Sequence, residues 1–416
     1  MAISEARELP LQGRHIVLGV TGSISCYKSA DLASKLRQAG AAVEVVMTKA
    51  ATEFVTPLTF KSLTGREVVV DMFAASETEA HVEVARRADA FVIAPVTANC
   101  MANLVYGQTP DMVTLTALAT TAPILLAPAM DNQMWEHPAT QENVARLMER
   151  GIAFVGPMEG RLASGRTGAG RLAEVPQIIG ALRALIGQRA GDLAGRHIVV
   201  SAGGTQEPID PVRYVGNRST GKMGFAIAEA ARDRGAFVTL VTGPVALETP
   251  WAVHRIDVST VAEMQIALEQ ATVDSDGIIM SAAPADFRPA NPADHKLKKS
   301  EGRDGLVIEM EKNPDIIASL PHGGVRVGFA AETRNLAEYA KMKLPSKRLH
   351  FIVANDVGAA GSGFGTDTNE VTIFHDDGRT EELPLLSKYA VAHAILDRVA
   401  ARLPERAEDR SRMMTG

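Results

Sequence analysis

Short apolar runs alternate with alanine-rich stretches along most of the chain. In the first half the apolar runs are Ile16–Val20, Val43–Met47, Ala90–Ala94 and Ile124–Ala127. In the second half they are Arg196–Val200, Phe237–Val241, Gly277–Met280, Val325–Phe329 and Phe351–Ala354. Apolar runs of this length are typical of strands buried on both faces, and the stretches between them are suited to helices. The pattern therefore predicts parallel sheets covered by helices.

Two of the apolar runs belong to near copies of one segment. Gly13–Leu18 reads GRHIVL and Gly195–Val200 reads GRHIVV, and each continues into a turn rich in Gly, Ser and Thr. We interpret each copy as the first strand of a domain. A closing helix is predicted over residues 176–187 and a linker over Gly187–Gly195. The chain is thus predicted to be α/β, with two Rossmann-like or flavodoxin-like domains of mainly parallel sheets flanked by helices, at residues 1–190 and 191–416.

Composition excludes several classes of protein. A hydrophobic content of 46% is ample for a core in each domain. The net charge of −6, without a basic cluster, argues against nucleic acid or an acidic membrane surface as a partner, and the apolar runs are too short to span a membrane. Cys26 and Cys100 are the two cysteines, and the N-terminus lacks a basic start before an apolar core. We therefore expect a cytoplasmic protein without a structural zinc site.

The densest group of small and polar residues is Ser201–Gly224, SAGGTQEPIDPVRYVGNRSTGKMG. Gly203 and Gly204 follow an apolar strand and would let backbone N–H groups approach a phosphate closely. Asn217–Lys222 then places an amide, a guanidinium, two hydroxyls and an ammonium before an alanine-rich helix predicted from Met223 to about Arg234. Such a helix N-terminus favours anions. Ordinary loops between strands and helices are also rich in glycine, so the glycines alone do not establish function.

A second polar group lies in the first half. The strand Ile16–Val20 ends in Thr21–Ser25, which is not a GxGxxG sequence. Ile93–Asn99 ends another predicted strand with hydroxyl and amide groups. Ligands bind at the carboxyl edge of open parallel sheets, so this edge is a candidate site.

Taken together, these segments resemble the bifunctional coenzyme A biosynthesis flavoproteins, from about Gly13 to Asp397. The second half is similar to phosphopantothenate-cysteine ligase and the first half to phosphopantothenoylcysteine decarboxylase. The resemblance implies CTP-dependent ligation of L-cysteine to 4'-phosphopantothenate through an acyl-cytidylate. FMN-dependent decarboxylation to 4'-phosphopantetheine would follow. It also implies a homo-oligomer, with trimer contacts in the flavin domain and dimer contacts in the ligase domain.

For the decarboxylase half, the resemblance implies a flavin site and a catalytic histidine. The flavin contacts would be Gly22, Ser23, Ile24, Thr48, Pro95, Thr97, Ala98 and Asn99. Oxidation of the substrate thiol by the flavin creates the electron sink that loss of CO2 requires, and His81 would assist proton movement. A lone histidine is more often structural, so the role of His81 depends on the resemblance.

Two positions depart from the family pattern. Asp131 stands where the family usually has an asparagine that binds the substrate carboxylate, and an ionised aspartate would repel that group. Either the neighbouring Asn132 substitutes, or Asp131 is protonated or neutralised by a cation, or decarboxylation is impaired. In the glycine-rich flap, Ser164 stands where the best-known members have a proton-donating cysteine, and serine is a far weaker acid. Arg171 in the same flap is expected to contact substrate.

For the ligase half, the resemblance implies that Asn217 holds the acyl-cytidylate. The predicted CTP contacts are Gly203, Gly204, Asp286, Lys296, Asn313, Pro314, Asp315, Ile316, Phe329, Lys343 and Lys347. Lys343 and Lys347 are four residues apart and would share a helix face, although such pairs are usually solvated surface. A nucleoside triphosphate normally arrives with Mg²⁺, for which Glu207, Asp210 and Asp286 are candidate ligands that the sequence does not separate.

Two alternative functions remain open at this point. A nicotinamide-dependent oxidoreductase would need GxGxxG and a distant acidic partner for the ribose, and neither is clear in this sequence. A ligase whose flavin-binding half is regulatory and impaired in decarboxylation is compatible with Asp131 and Ser164. A yellow purified protein would separate the flavoproteins from the oxidoreductase.

Overall fold

The structure is a computed structural model. It describes residues 9–72, 80–162, 165–298, 306–321, 323–332, 342–356, 363 and 365–404. The contacts among these residues form two compact units, with the boundary between Ala190 and Gly191. We call them the N-terminal unit and the C-terminal unit.

The N-terminal unit is built on a six-stranded sheet. Its strands are β1 (His15–Val20), β2 (Ala42–Met47), β3 (Val68–Val69), β4 (Ala90–Val96), β5 (Ile124–Pro128) and β6 (Ala153–Phe154). All are parallel and lie in the order β3-β2-β1-β4-β5-β6. The order reverses between β1 and β4, which is the switch point where ligands bind in open α/β sheets. Every residue of β4 is buried, which explains why this strand is apolar throughout.

Helices and one hairpin complete this unit. The helices are α1 (Cys26–Gln38), α2 (Pro57–Thr64), α3 (Ala80–Arg87), α4 (Ala98–Tyr106), α5 (Met112–Ala119), α6 (Asn132–Glu136), α7 (Pro138–Glu149) and α8 (Val175–Ala190). An antiparallel hairpin of β7 (Met158–Arg161) and β8 (Thr167–Arg171) precedes α8. Side-chain oxygens of Thr97 and Asp111 accept backbone N–H bonds at the starts of α4 and α5, so these polar residues define where the helices begin.

The C-terminal unit repeats this strand order and extends it. Its main strands are β9 (His197–Ala202), β12 (Phe237–Thr242), β13 (Val253–Asp257), β14 (Gly277–Met280), β17 (Val325–Glu332), β18 (Phe351–Asp356), β19 (Thr368–His375) and β20 (Thr380–Ser387). They lie in the order β13-β12-β9-β14-β17-β18-β19-β20, and only β19 and β20 pair antiparallel to their neighbours within this described sheet. The switch point is between β9 and β14.

In the described part of this unit, five helices and two small hairpins accompany the sheet. The helices are α9 (Lys222–Asp233), α10 (Val261–Ala271), α11 (Ile316–Ser319), α12, described at residues 342–346, and α13 (Lys388–Ala400). The hairpins are β10 (Gln206–Pro208) with β11 (Tyr214–Gly216), and β15 (Phe287–Pro289) with β16 (Met310–Lys312). Helices α9 and α13 pack against each other, and their alanine-rich faces contribute to one buried core.

The predicted fold class is confirmed: both units are α/β with mainly parallel sheets flanked by helices. One detail of the prediction was wrong. The predicted linker Gly187–Gly195 is shorter, because α8 continues to Ala190 and Leu193 is fully buried in the core of the C-terminal unit. The segment predicted as a flap contains the β7–β8 hairpin. Within the described residues, no helix is both long and apolar enough to cross a membrane.

Candidate functional sites

A buried hydroxyl joins the two central strands of the N-terminal unit at their carboxyl ends. Thr21, which is 1% exposed, donates its hydroxyl to the Pro95 carbonyl oxygen at 2.8 Å. The Thr21 hydroxyl oxygen in turn accepts the backbone N–H of Thr97 at 3.1 Å. These bonds fix the two loops that leave the switch point, so their positions relative to each other are set by the core.

The predicted flavin contacts gather at this edge. A Cβ on Gly22 would lie 2.6 Å from the Cβ of Ala50, so only glycine lets the β1 loop pack this closely on the β2 loop. Thr48 is buried and caps the 3-10 helix Lys49–Glu53 by accepting the Ala51 N–H at 3.2 Å. Ile24 and Asn99 are exposed. The structure therefore brings Gly22–Ile24, Thr48 and Pro95–Asn99 to one sheet edge, with hydroxyl, amide and apolar groups.

Two predicted catalytic residues of this half lie wholly or partly outside the description. His81 belongs to the backbone of α3, but its side chain is not among the described ones. Ser164 lies outside the described residues altogether. Their roles stay predictions from the sequence.

Asp131 lies next to a cation from the hairpin loop. Its Oδ1 accepts the Gln133 N–H at 3.1 Å and caps α6, and the same oxygen is 3.9 Å from Nη1 of Arg166. The backbone N–H of Met130 donates to Gly170 of β8 at 2.9 Å, which holds the hairpin over this segment. Of the possibilities raised for Asp131, neutralisation by a cation is the one that this arrangement favours.

The neighbouring predicted substrate contacts differ in their surroundings. Oδ1 of Asn132 is buried and makes no hydrogen bond within the described part of the chain. Arg171 forms an ion pair with Glu174, which also accepts Lys28 Nζ of α1 at 3.3 Å. Burial alone would raise the pKa of Glu174, but Lys28 and Arg171 outweigh burial and the pKa is lowered. Arg171 thus links the end of β8 to α1.

The C-terminal unit repeats the hydroxyl bridge at its own switch point. Ser201, at the end of β9, is fully buried, and its hydroxyl accepts the Ala282 N–H after β14 at 3.1 Å. Gly203 and Gly204 are buried beneath the next loop, where the Gly203 carbonyl accepts the Ala283 N–H at 2.8 Å. Gly203 has a φ of +74°, which suits glycine.

A cavity of about 420 Å³ opens at this edge, and we call it the lysine-lined cavity. Four residues predicted from the sequence line it: Asn217, Asp286, Phe329 and Lys343. Its polar wall also includes Ser219, Thr220, Lys222, Asn355, Asn369 and Lys388. Nδ2 of Asn217 donates to the carbonyl oxygens of Ala283 at 2.9 Å and Pro284 at 3.1 Å, which orients this side chain at the mouth of the β14 loop.

The other predicted CTP contacts do not line this cavity. Gly203 and Gly204 are buried, and Lys296 is exposed outside it. Asn313 donates to the Ala285 carbonyl at 2.9 Å and so supports the turn before Asp286. Pro314 is exposed, whereas the Ile316 side chain belongs to the core.

The predicted pair of lysines is divided between two environments. Lys343 lines the cavity, but Lys347 Nζ lies 2.9 Å from Oδ2 of Asp315, which also caps α11. Helical spacing therefore does not place both ammonium groups in one pocket here.

Lys388 is a charged cavity residue that the sequence did not predict. It is 6% exposed, and its Nζ donates to the carbonyl oxygens of Gly363 at 2.9 Å and Thr366. Burial, followed by repulsion from Lys222, lowers its pKa. In the sequence it is a single lysine at a helix start, and its burial arises from the antiparallel strands β19 and β20, which the motifs did not predict.

The candidate magnesium ligands are also separated by the structure. Glu207 is buried and accepts the Val261 N–H at 2.9 Å. Asp210 is buried and accepts three backbone N–H groups, from Val212, Arg213 and Leu297, and the Arg213 guanidinium holds its pKa well below the usual range. Asp286 lines the cavity. Among the described side chains, no three His, Cys, Asp or Glu residues form a metal-binding cluster.

The fold and these two edges define a class: a chain with two ligand-binding α/β units, one with a hydroxyl-rich edge and one with a cationic cavity. Residues 4–187 match the Flavoprotein family model, and residues 193–403 match the DNA/pantothenate metabolism flavoprotein C-terminal domain. The coenzyme A biosynthesis bifunctional protein CoaBC of Bacillus subtilis is 45% identical over 398 residues, which cover 94% of this chain and 98% of that protein. The protein of the same name from Escherichia coli K12 is 42% identical over 405 residues, 96% and 99% of the two chains.

A solved structure, the C-terminal domain of a coenzyme A biosynthesis bifunctional protein CoaBC, is 40% identical, covers 51% of this chain and 97% of its own, and gives a TM-score of 0.44. The chain belongs to the family of bifunctional coenzyme A biosynthesis proteins. It is an enzyme of coenzyme A biosynthesis with a ligase and a decarboxylase activity, and the prediction from its motifs is confirmed. This membership sets aside the nicotinamide-dependent oxidoreductase.

Proposed function

We propose that the C-terminal unit joins L-cysteine to 4'-phosphopantothenate at the expense of CTP, in the lysine-lined cavity. The observation that carries this proposal is the lining itself, with three lysines and Asn217 facing one aspartate. Because a triphosphate is polyanionic, it suits a wall with more ammonium than carboxylate groups.

The reaction has two steps that balance without a further reactant. An oxygen of the pantothenate carboxylate bonds to the α-phosphorus of CTP and expels pyrophosphate. The cysteine amine then bonds to the acyl carbon, loses a proton and expels CMP. Asn217, fixed by the Ala283 and Pro284 carbonyls, is proposed to hold the acyl-cytidylate with its remaining polar edge.

Mg²⁺ is proposed to accompany the nucleotide. Because Glu207 and Asp210 are buried and committed to backbone N–H groups, Asp286 is the best placed of the three candidates. A single carboxylate beside phosphate oxygens is a common way for proteins to hold this ion.

We infer that FMN is the flavin of the N-terminal unit. The β1 loop at Gly22, which has no room for a Cβ, and the start of α4 at Thr97 form a narrow edge with hydroxyl and amide groups, which fits a phosphorylated flavin. A bound flavin supplies reversible oxidation of the substrate thiol, which makes loss of CO2 feasible. His81 is proposed to move the proton, and Arg171 or Asn132 to position the substrate.

Self-association is also proposed for both units. Ile24 and Tyr27 beside the flavin edge are 61% and 65% exposed, and Tyr214 and Phe287 on the small hairpins are 56% and 52% exposed. Large exposed apolar groups near a site favour contact with another protein surface, and the family implies a second copy. Sedimentation of the full chain tests this proposal.

The decisive experiment is mass spectrometry of the products from 4'-phosphopantothenate, cysteine and CTP. We expect CMP, pyrophosphate, CO2 and 4'-phosphopantetheine. Accumulation of phosphopantothenoylcysteine, or of an enethiol without phosphopantetheine, would instead support the ligase with an impaired decarboxylase half. Absence of pyrophosphate would contradict the ligase assignment.

A further inference from the structure

Two lysines of the lysine-lined cavity reach the same short segment. Lys222 Nζ, at the start of α9, donates to the Gly365 carbonyl at 2.9 Å and to Oδ1 of Asp367 at 2.7 Å. Lys388, at the start of α13, donates to the carbonyls of Gly363 and Thr366. The two ammonium groups are therefore held near each other on one wall.

This arrangement has an electrostatic cost. Lys388 as a whole is only 6% exposed, so its ammonium gives up part of its hydration, and the carbonyl oxygens that accept its hydrogen bonds compensate without neutralising it. Repulsion from Lys222 adds to this cost, and both effects lower the pKa of Lys388. Asp367 partly offsets the charge, but its side chain is 89% exposed and its closest contact is with Lys222.

An anion bound between the two lysines would offset the lost hydration of Lys388 and its repulsion from Lys222. An ammonium has three donors, and within the described residues two on each lysine are used, by Gly365 and Asp367 for Lys222 and by Gly363 and Thr366 for Lys388. Both side chains line the cavity, and each lysine is the first residue of a helix of at least 12 residues, where the helix dipole also favours negative charge.

We propose that Lys222 and Lys388 together bind a phosphoryl group of a substrate in the lysine-lined cavity. This inference rests on the proposed ligase function. The group comes either from the phosphates of CTP or from the 4'-phosphate of phosphopantothenate, since both present the same tetrahedral, doubly charged oxygens. Lys388 is the buried lysine of the pair and fixes the position of the phosphoryl group. When the phosphoryl group binds, Lys222 leaves Asp367 and pairs with the phosphoryl oxygens instead.

The test is calorimetric titration of the full-length Lys388→Met variant with three separate probes: CTP, inorganic pyrophosphate and 4'-phosphopantothenate. We expect the dissociation constant to rise about 10-fold to 100-fold for the probe whose phosphate occupies the pair. Loss with CTP and pyrophosphate identifies the nucleotide phosphates, and loss with phosphopantothenate alone identifies the 4'-phosphate. Lys388→Arg is expected to recover part of the affinity because it keeps the charge.

Arg379→Met is the matched control. It also removes one cation from this unit, but its guanidinium pairs with Asp377 in an exposed turn and does not line the cavity. If Lys388→Met binds all three probes as Arg379→Met does, the inference is wrong.

A second variant covers the case in which Lys388→Met fails to fold. Asp367→Asn changes an exposed side chain and releases Lys222, so we expect about 2-fold to 5-fold tighter binding of the same probe. Unchanged or weaker binding would overturn the exchange of Asp367 for the ligand. Titrations do not require turnover, so a wild-type chain that binds pyrophosphate but makes no product would contradict the proposed ligase function while leaving this inference intact.

Discussion

The ligand-binding edges of the two units share one hydrogen-bonding arrangement but differ in the charge of the side chains around it. In each, a buried hydroxyl at the carboxyl end of the first central strand accepts an N–H from the segment after the other central strand: Thr21 from Thr97, and Ser201 from Ala282. Around Thr21 the groups that reach the edge are mostly neutral, whereas around Ser201 the cavity is lined by three lysines. The strand order thus fixes where a ligand binds, and the loops decide which charge it carries.

Among the variants that would test whether the two edges act separately, Asn217→Ala is expected to have the largest effect on activity. This change removes the amide that holds the Ala283–Pro284 turn and faces the cavity, so we expect kcat/KM for ligation to fall about 100-fold or more. Pyrophosphate release measures the loss. Decarboxylation of added phosphopantothenoylcysteine is the control, and an equal loss of CO2 release would show that the two sites are not chemically independent.

The next effect concerns the charged pair at the N-terminal edge. With Arg166→Gln, Asp131 loses the cation 3.9 Å away, and we expect kcat/KM for decarboxylation to fall about 10-fold to 100-fold. Asp131→Asn alone should be tolerated, because the amide does not repel the substrate carboxylate. The measurement is CO2 release with flavin absorbance as the check on folding.

The double variant decides what the pair does. If Arg166 acts by neutralising Asp131, Asp131→Asn with Arg166→Gln recovers most of the activity that Arg166→Gln loses. Additive losses would contradict neutralisation and would indicate that Arg166 acts separately from Asp131.

The strands that carry the two edges could be predicted from the sequence, because their apolar runs are easy to recognise. The strand Gly277–Met280 was predicted with its observed bounds, and β1, β4 and β17 were predicted within a few residues, because runs buried on both faces are apolar throughout. The β19–β20 pair was missed, since a strand such as β20 alternates buried and exposed residues unevenly and contains Pro384.

Site residues were predictable where a strand end or a helix start could be located in the sequence. Asp286 follows β14, Phe329 lies in β17 and Asn217 precedes α9, and all three line the cavity, as does the predicted Lys343 of α12. Lys347 was predicted to contact CTP from its helical spacing, yet it pairs with Asp315. Spacing indicates which residues share a helix face, but it does not indicate which other part of the chain packs against that face. Lys388 was missed because its place in the cavity depends on long-range pairing of β19 and β20.

A smaller effect is expected from breaking the shared hydroxyl bridges one at a time. Thr21→Val removes a buried hydroxyl and leaves the partly buried Thr97 N–H without its acceptor, so it should cost about 1–3 kcal/mol of stability, with weaker flavin binding. Ser201→Ala should similarly weaken ligation and spare flavin binding. Thermal unfolding followed by flavin release and by residual ligase activity compares them. Loss of both activities in either variant would contradict separate roles for the two bridges.

The smallest effect concerns how the loops over the two edges are anchored. Asp210 holds the loop before β11 by accepting N–H groups of Val212, Arg213 and Leu297, whereas the Asp131–Arg166 pair is partly exposed. Because the Arg213 guanidinium lowers the pKa of Asp210, its carboxylate stabilises the fold above the unfolded pKa of about 4, and this contribution is lost as pH falls below that value. Asp210→Asn should therefore lower the Tm by several degrees at pH 7, and the difference from wild type should shrink below about pH 4.

Asp294→Asn, at an exposed aspartate of the same unit, is the control and should change the Tm little at either pH. A difference for Asp210→Asn that stays constant from neutral to acidic pH would mean that packing, and not the ionised carboxylate, anchors this loop.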